Sequence, residues 1–268
     1  MRAAEPTLHG SAGAGAARRP PRFAHVVVVV FENHTANEVI GAPAAPYLTS
    51  LAEHGANFTQ SYGVTHPSQP NYLALFSGSQ QGITDDSCPH RFAANNLGRQ
   101  MIAHGRRFVG YAESLPKVGS KECTTPVYAR KHVPWADFID LRPRVSRPFS
   151  DWPRRFAFLP RLAFVTPNLC SDMHNCSVAT GDAWMRRNLS RYARWTHAHN
   201  SLLIVTFDED DHSGPNRIPT FFYGAHVRRG SYAEHITHYS VLRTIEDMYG
   251  LGHLGNARHA RTIRNVWR

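Results

Sequence analysis

The sequence predicts an α/β fold, a mainly parallel central β-sheet with helices on both faces, and three observations carry that prediction. Residues 24–33 read AHVVVVVFEN. Five consecutive valines leave a strand with no polar face, so it must be covered on both sides, as inner strands of parallel sheets are. Residues 201–207, SLLIVTF, repeat that character. Between and around these runs, strand-like and helix-like segments alternate with no internal repeat, the pattern of an α/β chain.

Residues 1–23 are Ala/Gly-rich and then basic, and read as a disordered lead-in ahead of a single domain over 24–268. After the first strand, residues 46–54 carry helical spacing and stop at Gly55. Residues 57–64 suit a short strand. THPSQPNY at 65–72 runs into LALFSG, which predicts a helix with Pro70 in its first turn and Ser68 near the N-cap. A helix over 95–104 ended by Gly105 and a strand over 107–112 follow. Residues 113–160 are Pro-rich and irregular, and a segment of that length inside a compact domain is usually functional. Strand character returns at 162–166, then a polar loop at 168–181 and a helix over 182–197. After 201–207 come a strand over 217–223 and a last helix over 237–250.

The bulk numbers bound the function. At 268 residues, 42% hydrophobic and 19% charged, the chain is an ordinary globular protein with room for a large core. No apolar run approaches the length of a membrane helix, so stable membrane insertion is not expected. The formal charge of +10 fits steering of anionic substrates and equally a solvated arginine-rich surface. No recognition helix, zinc finger or aromatic–basic stripe argues for nucleic acid. The four cysteines form no CxxC pair, and their even number permits two disulfides, 88–123 and 170–176. Disulfides point outside the cytoplasm, although residues 1–23 lack the apolar core of a signal peptide, so a cytoplasmic location stays open.

The residues able to do chemistry follow strands or open helices. Glu32 and Asn33 end the valine strand, and Asp208 and Glu209 end SLLIVTF. Asp172 and His174 lie in the loop after 162–166, His238 opens the last helix, and Ser68 opens an earlier one with His66 just ahead of it. In a parallel sheet these points share the carboxyl edge, where ligands bind. Carboxylates with imidazoles suit Zn²⁺, Mn²⁺ or Fe, and all-oxygen subsets suit Mg²⁺ or Ca²⁺. A serine at a helix N-terminus beside a metal is set up as a nucleophile, with the free N–H groups and dipole favouring a phosphate. Ser68 alone reads equally as a helix cap, and most of the 17 histidines serve packing or the surface.

Taken in order, FEN at 31–33, THPSQPNY at 65–72, YAES at 111–114, TPNLCSDMH at 166–174, GDAW at 181–184, VTFDED at 205–210 and ITHYSVLRTIEDMYGL at 236–251 resemble a known family. It is the phosphoesterase family that groups bacterial phospholipases C with AcpA-type acid phosphatases, within the alkaline phosphatase superfamily. The resemblance covers nearly the whole chain after the lead-in. It implies an alkaline phosphatase-like core and a metal-dependent phosphoester hydrolase, foremost a phosphomonoesterase acting through a phosphoserine on Ser68. It further implies one or two divalent ions of unstated identity. Glu32, Asn33, Asp208 and Glu209 would hold the first, and Asp172, His174 and His238 would form a second site or serve as phosphate donors and acid/base groups. His66 would assist Ser68 or the leaving group. Lys131 and His132 would contact phosphate, although where relatives read R-H-N-P this chain has Arg130-Lys131-His132-Val133-Pro134. The partner is a small phosphorylated substrate. A phospholipase C-like phosphodiesterase and a non-catalytic phospholigand-binding protein are the alternatives, and oligomeric state is not readable.

Overall fold

The structure is a computed structural model that describes residues 18–268. In chain order it contains β1 (His25–Phe31), α1 (Ala36–Val39), α2 (Pro46–His54), β2 (Ala56–Phe58), β3 (Ser61–Tyr62), α3 (Ser68–Ser77), α4 (Leu97–Ala103) and β4 (Phe108–Ala112). There follow β5 (Ser146–Pro148), β6 (Leu162–Thr166), α5 (Val178–Thr196), β7 (Ser201–Phe207), β8 (Thr220–Gly224), β9 (Gly230–Tyr232), β10 (Ile236–Thr237) and α6 (His238–Tyr249). Eight strands form one sheet in the order β5-β4-β6-β1-β7-β8-β2-β9. It is parallel except where β8 runs antiparallel to β7 and β2.

The valine strand lies at the middle because both of its faces are covered. Val26, Val28 and Val30 pack against α3, α4 and α6 through residues such as Leu73, Met101 and Leu242. Val27, Val29 and Phe31 pack on the other face against α2 and α5 through Leu51, Trp184 and Leu189. Its neighbours are β6 and β7, and Phe31 pairs with Phe207. That register sets the next residues of the two strands, Glu32 and Asp208, side by side at the carboxyl edge.

Several elements differ from expectation. The strand expected over 57–64 is two strands in different sheets, β2 and β3. The strand expected from 217 begins at Thr220. The helix expected from 182 begins earlier, at Val178, because Ser177 caps it by accepting from the Thr180 N–H. Asp182 is therefore interior to α5, and its carboxylate accepts from the N–H groups of Tyr47 (3.2 Å) and Leu48 (2.7 Å). It caps α2, whose own N-cap residue, Ala45, has no side chain to do so. The irregular segment contains five short 3₁₀ turns and the edge strand β5. Of the expected lead-in, residues 1–17 lie outside the described residues, and Phe23 is fully buried against Trp267.

Two glycines matter to the site. A Cβ on Gly110 in β4 would lie 2.0 Å from the Trp135 ring, so only glycine lets that indole lie on the strand and anchor residues 130–136. A Cβ on Gly181 would meet Met173 at 2.3 Å, which explains the glycine of the GDAW motif beside the 172–174 turn. Disulfides Cys88–Cys123 and Cys170–Cys176 are both formed, with no free cysteine among the described residues. Among the described residues, no helix is long and apolar enough to cross a membrane.

Candidate active site

Ser68 is the first residue of α3, after Pro67 at the N-cap position, and its side chain caps nothing. The loop before it is fixed by Asn71, whose Oδ1 accepts from the N–H groups of Val64 (2.8 Å) and Thr65 (3.1 Å). The Asn71 amide nitrogen donates to the carbonyls of Thr65 and Pro67. The buried Ser68 hydroxyl thus faces the sheet edge, with Oγ 3.1 Å from Glu32 Oε2 and 3.1 Å from Glu209 Oε1. A hydroxyl carries one proton, so it donates to one of the two carboxylates at a time. Of the free helical N–H groups expected here, that of Gln69 is already bonded to Asp86 Oδ1 at 2.9 Å.

Around Ser68 the structure gathers the residues expected at the site. Glu32 is fully buried and its other oxygen accepts from the Tyr72 hydroxyl. Tyr72 lies one helical turn beyond Ser68 on the same face, a spacing that makes it readable in retrospect. The Asn33 N–H donates to Asp208 Oδ1 at 3.1 Å, with Asn33 held at φ 52°. Glu209 Oε2 accepts from His66 Nδ1 at 2.5 Å, and His66 Nε2 lies 3.3 Å from Asp210 Oδ1. Asp210 is fully buried and also accepts from the N–H groups of His212 and Asn216.

The second set divides. His132, expected on the phosphate, sits between two carboxylates, with Nε2 3.3 Å from Glu32 Oε2 and Nδ1 3.2 Å from Asp172 Oδ2. His174 joins Glu32 and His132, the three offering donor atoms all within 4.8 Å of one another. Lys131 Nζ bonds Asp86 Oδ2 at 2.7 Å and His174 Nε2 at 3.4 Å. Nothing in the sequence singled out Asp86, which ties Lys131 to the turn after α3. His238 stands apart from that group. Its Nε2–H donates to the Asp208 carbonyl at 2.6 Å, leaving a bare, buried Nδ1 lone pair.

The electrostatics are those of an acid cluster without its counter-charge. Burial, then the charges of Asp208 and Asp172, raises the Glu32 carboxyl well above the usual range. Burial lifts Asp172 to about 7, against the N–H and charge of His174. Burial and the charge of Asp208 lift Glu209 to about 8. Burial and then Lys131 push His132 down to about 3, and burial pushes His238 to about 4, so both imidazoles are neutral with free lone pairs. For Lys131, burial favours the neutral amine, but the bond to Asp86 and the charge of Glu32 outweigh it and the net shift is upward.

This donor set fits a divalent cation. Asp208 Oδ2, Asn33 Oδ1, Asp172 Oδ2, His132 Nε2 and His238 Nδ1 are all buried without a hydrogen-bond partner. Such orphans are rare in folded proteins. His238 also shows what metal-bound imidazoles commonly show, an N–H fixed on a carbonyl with the other nitrogen free.

Comparison with known proteins gives the family and the fold. The family model described as the Phosphoesterase family matches residues 42–252. A phosphatidylinositol-3-phosphatase of Mycobacterium tuberculosis is 50% identical over 255 residues, 94% of this chain and 85% of that protein. A phosphate-repressible acid phosphatase of Penicillium chrysogenum is 30% identical over 231 residues, 78% of this chain. The chain spans about half of that fungal protein, 55% of its length. In fold, it resembles a Vibrio parahaemolyticus protein of the alkaline phosphatase superfamily. The TM-score is 0.63 at 11% identity, over 90% of this chain and 71% of that one. The chain is a hydrolase of phosphoester bonds and belongs to the phosphoesterase family.

Proposed function

We propose that this chain is a metal-dependent phosphomonoesterase that passes the phosphoryl group first to Ser68 and then to water. The observation that carries the reading is the Ser68 hydroxyl held 3.1 Å from each of two carboxylates, Glu32 and Glu209. A serine used only to cap its helix would bond the helix backbone instead. Glu32, Asn33 and Asp208 would hold the ion beside Ser68, with Asp172, His132 and His174 able to hold a second. A divalent ion there supplies Lewis acidity, favouring the serine alkoxide and balancing phosphoryl charge.

The remaining roles belong to the chain. Glu209 Oε1 takes the proton from Ser68 Oγ as the Oγ–P bond forms and the bond from phosphorus to the leaving oxygen breaks. Glu209 Oε2 is bonded to His66 Nδ1 and holds the imidazole, which in its protonated form supplies a proton to the departing alcohol. Water then attacks phosphorus and returns a proton to His66, the phosphoserine bond breaks, and Ser68 recovers its proton from Glu209. Lys131 and His174 offer donors to the phosphoryl oxygens, where charge is spread in the transition state.

The similarity to a phosphatidylinositol-3-phosphatase makes a phosphorylated inositol headgroup the first substrate class to test, and the acid phosphatase relatives add small soluble monoesters. The two disulfides support an extracytoplasmic site of action. The test is acid-quenched mass spectrometry of metal-replete protein during turnover of an aryl phosphate. A phosphoryl group on the peptide carrying Ser68, absent in Ser68→Ala with loss of turnover, is the expected result. Undiminished hydrolysis by Ser68→Ala would sink the assignment. A bis-aryl phosphate turned over faster than the monoester would shift the reading to a phosphodiesterase.

A further inference from the structure

The mouth of the site holds a second nitrogen-rich cluster, of which the proposed chemistry uses His66 and Glu209 but not His212. His66, Glu209 and His212 offer donor atoms all within 4.8 Å of one another. The two imidazoles stack with ring centroids 3.9 Å apart and an interplanar angle of 27°. His212 is exposed on the 208–216 loop, whereas Glu209 is buried with one oxygen toward Ser68 and the other toward His66.

We propose that His66, Glu209 and His212 form an inhibitory cation site for a zinc-class transition ion, separate from the Glu32–Asp208 centre and coupled to it through Glu209. The donor chemistry separates the two. Glu32, Asn33, Asp208 and the Ser68 hydroxyl are all oxygen donors, which suit hard cations, whereas two imidazoles with one carboxylate are a recurrent zinc set. Asp210 supplies the surrounding support. Its Oδ1 lies 3.3 Å from His66 Nε2 and accepts from the His212 N–H at 3.0 Å. His212 sits at φ 65°, a backbone region that non-glycine residues seldom occupy, and Asp210 holds it there.

The effect on catalysis follows from sharing. An ion held by Glu209 Oε2 and the two imidazoles withdraws the carboxylate that serves Ser68 and ties up the His66 imidazole. Zinc there stops turnover without displacing the activating ion. This effect on rate rests on the roles proposed above for Ser68 and Glu209, whereas zinc binding at the mouth does not.

The experiment uses the full chain with its activating ion present and zinc chloride as the probe. Zinc uptake is read by equilibrium dialysis with elemental analysis, and imidazole coordination by the visible absorption of cobalt(II) in its place. His212→Asn is the variant, because asparagine tolerates a positive φ and is a poor zinc ligand. His212→Gly replaces it if basal activity falls. The expected result is a zinc dissociation constant weakened at least about tenfold and zinc inhibition weakened in parallel, with basal activity unchanged. Ser68→Ala should still take up the mouth zinc, so uptake is read even if the nucleophile assignment fails. Equal zinc uptake and inhibition in wild type and variant would overturn the proposal. So would uptake that depends on His212 but leaves turnover of the wild type untouched.

Discussion

The two halves of the candidate site are built differently. The acidic half, Glu32 and Asn33 with Asp208 and Glu209, hangs from the ends of two adjacent strands locked in register from His25–Ser201 to Phe31–Phe207. Its positions are set by the best-packed part of the molecule. The half that carries Lys131, His132, Asp172 and His174 comes from turns and loops stapled by two disulfides. A strand end fixes a side chain through the sheet, whereas a loop needs covalent ties and specific packing, such as Trp135 against Gly110. The contrast predicts that the acidic half governs metal and turnover, and the loop half governs substrate binding.

The largest effect should come from the acidic half. Asp208→Asn keeps the shape but removes a negative charge from an atom that has no other partner. Turnover should fall by about 100-fold or more, and the variant should retain less divalent ion after dialysis. An Asp208→Asn protein that keeps both its ion and its rate would place the metal elsewhere.

The same contrast explains what the sequence allowed. A buried strand announces itself as an apolar run, and the polar residues ending it are then candidates by topology alone, which made Glu32 and Asp208 readable. The loop half has no such periodicity. His132 was expected on the phosphate yet lies between Glu32 and Asp172, because a 3₁₀ turn at Arg130–His132 aims it inward. Asp86 sits in a turn far along the chain and gave no local signal. Asp182 caps α2 from within α5, and capping across two helices depends on tertiary contact. Glu246 is likewise held by tertiary contact, fully buried and accepting from the Leu254 N–H at 2.8 Å.

An intermediate effect should come from loosening the loop half. Cys88 lies two residues from Asp86, and Cys123 precedes the turn bearing Lys131 and His132. Replacing both cysteines by serine frees a loop of 35-residue separation. The expected cost is about 2–4 kcal/mol of stability. Below the melting temperature, KM for an aryl phosphate should rise about tenfold with a smaller change in kcat, because on the proposed reading Lys131 serves the phosphoryl group while Ser68 keeps its carboxylates. A fall in kcat at constant KM would show instead that the loop half acts on the chemical step.

The smallest effect needs no turnover at all. In protein stripped of divalent ion, Glu209 with its pKa pushed to about 8 and Asp172 to about 7 bind protons more tightly when folded than when unfolded. Between their ordinary carboxylate values and these raised ones, the native state therefore holds more protons than the unfolded state. Stability must then fall as pH rises through that window. The melting temperature of stripped protein should drop by on the order of a few degrees between about pH 5 and pH 8. A saturating divalent ion should remove most of the slope, because cation charge replaces protons in balancing the carboxylates. Glu209→Gln should flatten the stripped curve more than Lys131→Met, since the carboxylate belongs to the acid cluster that the cation neutralises. A slope that persists with the ion bound, or that follows Lys131, would shift the charge imbalance from the strand ends to the loops.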